Sequence, residues 1–393
     1  MEIRSLTARP ILDSRGAWTV EASVVLANGA EARASVPQGK STGSSEARAL
    51  PAPQAVRNIT KTIAPKAHNR GFKDQEALDA FLIKLDGTGD KSKLGANAIL
   101  ATSIAFLRAS SVATGAPLWR HLRDIYGMPV RAGARPRLFI NVVNGGLHAG
   151  NNLHFQEYLV IPNCNTIKES VEVGTAMYHG LGELLARTKG KIATNLGDEG
   201  GYAPDFKDDA EPFRLLAAVA KKLKLMKKVD FGMDAAATDI KMKHKWLEEM
   251  YPKLLRGHNL IYLEDPFNEE DFLSFAALTM RFGARTWIAG DDLMTTNVRR
   301  MERAHAEGSV NAVIIKPNQI GTVSEALDAV RVARKYNWAV VASHRSGETN
   351  DDFIADFAYG VGADGLKLGA PARGERIAKY NRLLEIESKE ARS

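Results

Sequence analysis

Cysteine is almost missing. Cys164 stands alone in 393 residues, which excludes an intramolecular disulfide and any thiolate metal cluster. Its setting, VIPNCNT, holds no neighbouring histidine or second cysteine, so it reads as a structural or incidental residue. Long apolar runs are missing too, and none approaches the roughly 18 residues of a membrane span. The amino-terminal MEIRSLTARPILDSRG has no apolar core of signal-peptide length, and Glu2 and Asp13 argue against an acid-poor transit peptide. A cytoplasmic location is the expectation. Zinc-finger, RNA-binding and recognition-helix patterns are likewise absent.

What is present is a basic balance, +7 from 53 Lys and Arg against 46 Asp and Glu. Such an excess suits nucleic acid or an anionic small molecule. The densest cluster, KKLKLMKK at 221–228, alternates with Leu and Met, so we read it as a solvated helix face and require no nucleic acid. A chain of 393 residues with 45% apolar content is ordinary for a globular protein and suits a barrel with an added domain.

Residues 3–36 alternate as an antiparallel sheet does, with WTVEASVVLANG turning at Asn28-Gly29 into AEARASV. Residues 37–47, PQGKSTGSSEA, hold too much Gly and Ser for a regular element and read as a mobile loop offering Lys40, Ser41 and Thr42. From Ala55 to Tyr126 apolar residues recur three and four apart, predicting helices. The most apolar of these, ANAILATSIAFLRASSVAT, is expected to pack on the sheet. GMPVRAGARPR at 127–137 lacks periodicity and forms the linker. The division is therefore an α+β domain over 1–128 and a second domain over 138–393.

In the second domain LHAGNNLHFQEYLVIP supplies His148, His154, Gln156 and Glu157. NLGDEGGYAPD puts Asp198 and Glu199 before paired glycines, a turn that suits projection of a carboxylate into a cleft and equally suits a plain surface turn. Beyond Val229, short apolar runs each end in a polar residue: Asp234, Glu264, Asp291, Lys316, His344 and Lys367. Their spacing of roughly 23–30 residues accommodates one strand, one helix and two loops, predicting repeated β/α units. In a closed parallel barrel the strands' C-terminal ends share one face. Three acids, two lysines and a histidine would then surround one pocket.

Asp234, Glu264 and Asp291 fall on successive strand ends, and hard oxygen ligands without cysteine or an HxxxH pattern favour Mg2+. The same acids also suit plain helix capping. Lys316 in VIIKPNQ would be partly desolvated, which lowers a lysine's pKa and equips it as a base, though charge balance with the acids explains it as well. These groups suit abstraction of a weakly acidic proton beside a carboxylate, giving an enediolate that Mg2+ stabilises. Glu199 is the best candidate for protonating a departing hydroxyl from the other face.

The chain then resembles the enolase (phosphopyruvate hydratase) family, in ILDSRG, STG, KLGANAIL, NGGLHAGN, QEY, GDEGGYAP, GMDAAA, EDPF, GDDLMTTN, KPNQIGT, SHRSGET and GAPARGERIAKYNRLLEIE. The motifs run in family order over nearly the whole chain. The resemblance implies an α/β fold, a modified (β/α)8 barrel with one early strand antiparallel, capped by the N-terminal α+β domain. It implies Mg2+-dependent, reversible anti elimination of water from 2-phospho-D-glycerate, giving phosphoenolpyruvate. By matching motifs, Asp234, Glu264 and Asp291 would hold a first, conformational Mg2+. Ser41 would help hold a second, catalytic ion that arrives with substrate. Lys316 would be the C2 base and Glu199 the acid, with Glu157 and His148 completing the acid side. Lys367 would contact the substrate carboxylate, and Arg345 and Ser346 the phosphate, with His344 and Gln156 beside them. Family members are homodimers or octamers built as tetramers of dimers.

Departures from the family pattern are local. PQGKS replaces the usual PSGAS and adds Lys40; KLG replaces KTG and brings Leu368; KPNQ replaces KVNQ and brings Pro317. Segments after Ala47 and between Thr238 and Tyr251 are short. These changes keep a second reading open, a specialised lyase of the same kind acting on a related phosphorylated or phosphonylated three-carbon acid.

Overall fold

The computed structural model describes residues 1–40 and 43–390. Ser41 and Thr42 of the 37–47 loop lie outside the described residues. Four strands form the N-terminal sheet: β1 (Glu2–Leu12), β2 (Trp18–Leu26), β3 (Glu31–Ser35) and the short β4 (Arg70–Gly71), in the order β3-β2-β1-β4. Alternation decides which face is covered. Val20, Ala22, Val24 and Leu26 of β2 are buried while Glu21 and Ser23 are half-buried on the other side. At the β2–β3 turn Gly29 takes φ +87°, a left-handed value that costs glycine little.

Helix Ala96–Thr114 lies across β2 and β3, as its composition leads one to expect. By length and composition alone it is apolar enough to cross a membrane, yet 83% of its apolar window is buried inside the protein. Its all-round apolar character follows from being enclosed on every side.

Eight strands close the barrel: β5 (Arg137–Asn144), β6 (Glu157–Pro162), β7 (Val229–Asp234), β8 (Leu260–Glu264), β9 (Trp287–Gly290), β10 (Ala312–Ile315), β11 (Ala339–Ser343) and β12 (Gly365–Lys367). Around the ring they run β10-β11-β12-β5-β6-β7-β8-β9. β6 pairs antiparallel with both neighbours, and the other pairs are parallel. The link from β5 to β6 contains only the 3-10 turn Gly146–His148 and no α-helix. A parallel return needs a longer crossover, so the chain comes back reversed.

Phe139, Leu159, Ile161, Tyr262, Ile314 and Val341 fill the barrel interior. Phe139 meets Tyr262 edge-on at 4.8 Å. Gly365 permits this, since a Cβ there would sit 2.5 Å from the Phe139 ring. The C-terminal helix Gly374–Glu390 packs on helices Ile167–Lys189 and Phe353–Gly360. The two parts of the chain are joined by ion pairs: Arg108 binds Asp351 at 2.8 Å and Asp352 at 2.8 Å, and Lys91 binds Glu325 at 2.9 Å.

Candidate active site

The recurring strand ends do converge. Asp234, Glu264 and Lys367 are the last residues of β7, β8 and β12, while Asp291, Lys316 and His344 directly follow β9, β10 and β11. Reversal of β6 brings its first residue to the same rim, where Glu157 pairs in register with Asp234 and Asn144. A cleft is lined by His148, Gln156, Glu157, Glu199, Asp234, Asp291, Lys316, His344, Arg345, Ser346 and Lys367. Glu264 lies beneath it, wholly buried. Of the residues singled out in the sequence, Ser41 and Thr42 lie outside the described residues.

Lys367 is the electrostatic centre of the acidic arc. Its Nζ donates to Glu264 at 2.8 Å and Asp234 at 3.2 Å and stands 3.2 Å from Glu157. Burial pushes this lysine's pKa down, but Asp234, Glu157 and Glu264 together raise it well above its ordinary value. Glu264 is raised to about 8 by burial and then by Asp234. Tyr262 donates to its Oε2 at 2.5 Å, while its Oε1 is a buried acceptor without a hydrogen-bond partner among the described residues. Gln156 Nε2 reaches Asp234 Oδ2 at 3.4 Å.

On the other wall the sequence expectation for Lys316 needs correction. Burial does lower its pKa, but its ion pair with Asp291 more than offsets this and the net direction is upward. Without a competing cation on Asp291, Lys316 keeps its proton. Asp291 is held from behind by Gln319, whose Nε2 donates to Oδ1 at 2.9 Å, and Gln319 is held in turn by Thr296 Oγ1 at 2.8 Å. Pro317 is the first residue of helix Pro317–Ile320, a position where a missing N–H costs nothing.

Glu199 sits at the third side. Asn141 Nδ2 donates to its Oε2 at 3.0 Å, His344 Nε2 lies 3.4 Å from that oxygen, and His148 Nδ1 lies 3.5 Å from Oε1. Burial would raise the Glu199 pKa, but the His344 and His148 imidazoles bring it well below the carboxylate range. Glu157 moves the opposite way, raised by burial and then by Glu199. His344 is pushed down to about 3 by burial, and His148 is lowered for the same reason. Two neighbouring carboxyls with opposed shifts share one proton more readily than they carry two charges.

Arg345 Nη2 donates to Glu46 Oε1 at 2.9 Å, and its Nη1 donates to Glu46 Oε2 at 3.0 Å and Asn318 Oδ1 at 3.1 Å. Ser346 Oγ accepts from the Lys40 backbone N–H at 2.7 Å. The Lys40 ammonium points away from this pair, donating to the Leu147 carbonyl at 2.7 Å and Asp198 at 3.1 Å.

His148, Glu157 and Glu199 form one buried cluster consistent with a metal site, their ligand atoms within 4.8 Å of one another. Asp265, Asp291 and Asp292 form a second. Asp265 is already committed, because its two oxygens accept the backbone N–H groups of Asp291 at 2.9 Å and Asp292 at 2.8 Å. Asp234, Glu264 and Asp291 do not form such a group among the described residues: Asp291 belongs to the second cluster, while Asp234 and Glu264 are engaged by Lys367.

Sequence reasoning missed Asp265, Asp292, Glu46, Gln319, Arg376 and Lys379. Asp265 and Asp292 were within reach, since each adjoins a chosen acid in EDPF and GDDL. Glu46, Arg376 and Lys379 enter from other elements, with no signal in their local pattern. Lys379 Nζ donates to Glu348 Oε2 at 2.8 Å, and Glu348 Oε1 accepts from the Arg345 backbone N–H at 3.1 Å.

Residues 3–122 match the family described as "Enolase, N-terminal domain", and residues 134–246 and 238–392 match "Enolase, C-terminal TIM barrel domain". The enolase of Methanopyrus kandleri is 43% identical over 411 residues, covering 98% of this chain and 95% of the relative. The enolase of Solanum lycopersicum is 40% identical over 427 residues, covering 98% and 95%. That of Methanocaldococcus jannaschii is 40% identical over 410 residues, again covering 98% and 95%. Matched in both halves and similar to these relatives almost from end to end, the chain belongs to the enolase family of lyases.

Proposed function

We propose that the protein carries out the reversible, Mg2+-dependent dehydration of 2-phospho-D-glycerate to phosphoenolpyruvate. The observation that carries this reading is the ring order. β10 and β6 stand on opposite sides of the eight-stranded closed barrel, so Lys316 at the end of one faces Glu157 at the start of the other across the cleft. Anti elimination needs that arrangement, with a base on one face of the substrate and an acid on the other.

In this reading Lys316 takes the proton from C2, and Glu199, sharing a proton with Glu157 beside His148, protonates the departing C3 hydroxyl. The opposed directions of the Glu157 and Glu199 shifts support one shared proton. Arg345, Ser346 and His344 orient the phosphate, and Lys367 and Gln156 the carboxylate. Mg2+ held by Asp234, Glu264 and Asp291, with a second ion at Ser41, would neutralise charge developing on the substrate carboxylate and free Lys316 from Asp291. The low accessibility of these groups keeps water from competing for the substrate's charges.

Purified protein mixed with Mg2+ and 2-phospho-D-glycerate should develop the ultraviolet absorbance of the product's conjugated double bond, and a chelator should abolish it. Lys316→Ala should lower turnover by roughly a thousandfold or more in protein that near-ultraviolet circular dichroism shows to be folded. Folded protein that binds Mg2+ and gives no absorbance change would overturn this assignment in favour of a related phosphorylated or phosphonylated three-carbon acid.

A further inference from the structure

The C-terminal helix delivers one side chain that touches neither the cleft nor solvent. Arg376 is wholly buried. Its Nη1 donates to the Arg345 carbonyl at 2.6 Å, and its Nη2 to the Ser346 carbonyl at 2.6 Å. The same Nη1 lies 2.6 Å from Nδ1 of His344. A guanidinium has donors only and does not give up its proton. His344 Nδ1 must therefore present a lone pair, because a hydrogen on it would point at another hydrogen across 2.6 Å. A neutral ring then carries its proton on Nε2, and Nε2 faces Glu199 Oε2 at 3.4 Å.

We propose that Arg376 is a positioning residue for Glu199, acting through His344: it fixes the ring as the Nε2–H tautomer and so commits Glu199 Oε2 to accepting hydrogen bonds. Asn141 Nδ2 supplies the second donor to that oxygen, at 3.0 Å. Among the described residues Oε1 has no such pair of donors. It faces His148 Nδ1, a buried nitrogen without a hydrogen-bond partner among the described residues. Oε1 is accordingly the oxygen that exchanges a proton with the substrate. This last consequence rests on the assignment of Glu199 as the acid, whereas the tautomer does not.

The test separates donor-only from donor-and-acceptor replacements. Full-length protein labelled with 15N-histidine is read by two-bond 1H–15N correlation, with the His344 ring assigned by its loss in His344→Gln. The wild-type ring should show one neutral form, protonated at Nε2. Arg376→Lys, whose ammonium also lacks an acceptor, should keep that form. Arg376→Gln offers a carbonyl oxygen as well, so the Nδ1–H form should appear and kcat should fall roughly tenfold or more. A wild-type ring protonated at Nδ1, or a Gln variant that keeps the single Nε2–H form, would overturn the proposal. Should neither variant fold, the wild-type ring decides. An Nε2–H ring in a protein without turnover on 2-phospho-D-glycerate would sink the function assigned above and leave the tautomer standing.

Discussion

Removing the Lys367 ammonium should expose how much of the site's stability depends on one charge. Its side chain is 2% exposed and lies within 3.2 Å of Glu157, Asp234 and Glu264. Lys367→Met keeps most of the volume and deletes the cation, leaving three buried carboxyl groups without their counter-charge. Breaking a buried ion pair by removing one partner costs about 3–5 kcal/mol. At roughly 2–4 °C per kcal/mol for a domain of this size, the barrel should melt on the order of 10 °C lower in chelator. Mg2+ should then stabilise the variant more than the wild type, because Asp234 and Glu264 no longer have a competing ammonium. At about 100 times its dissociation constant the ion returns roughly 2.7 kcal/mol. Near-ultraviolet circular dichroism melts, with chelator and with Mg2+, measure both terms. A variant that melts with the wild type in chelator, or equal Mg2+ shifts in the two proteins, would refute the reasoning.

Three further outcomes are expected. Gly369 takes φ +78°, and a Cβ there would sit 2.8 Å from the Glu199 carbonyl and 3.1 Å from His344 Cε1. Gly369→Ala should therefore cut kcat by roughly a hundredfold, as a displacement near 1 Å can, with a smaller loss of melting temperature; unchanged kcat would count against close packing behind Glu199. Lys40→Ala removes contacts to Leu147 and Asp198. It should alter the Mg2+ concentration needed for half-maximal rate while changing stability by less than about 1 kcal/mol, as exposed pairs do. Burial raises the Asp79 pKa from 3.8 to about 6. Its contribution to stability is fully present below pH 3.8 and is lost as pH rises through about 6. The stability difference between wild type and Asp79→Asn, read by urea titration, should move by about 3 kcal/mol across that window; a difference that is flat with pH would refute the shift.

The barrel was legible because each β/α unit carries its own local pattern, an apolar run closed by a polar residue, and closure puts all such ends on one rim. Asp234, Glu264, Asp291, Lys316, His344 and Lys367 could be picked from the sequence for that reason alone. The direction of β6 was legible only through resemblance: alternation in EYLVIP is the same whichever way the strand runs. Its reversal follows from a β5–β6 link without a helix.

Local pattern thus determined the elements and the residues at their ends, because strand period, turn chemistry and helix period are set by neighbours in the chain. Partnership and charge state were decided by packing at long range. Lys316 illustrates this: its apolar flanks predict desolvation, yet Asp291, 25 residues earlier, keeps it protonated. Arg376 does so more strongly, since ERIAKY reads as ordinary amphipathic helix. Only the docking of that helix under the His344–Ser346 segment makes a guanidinium choose the imidazole's tautomer, because at 2.6 Å the spacing leaves room for one hydrogen and not for two.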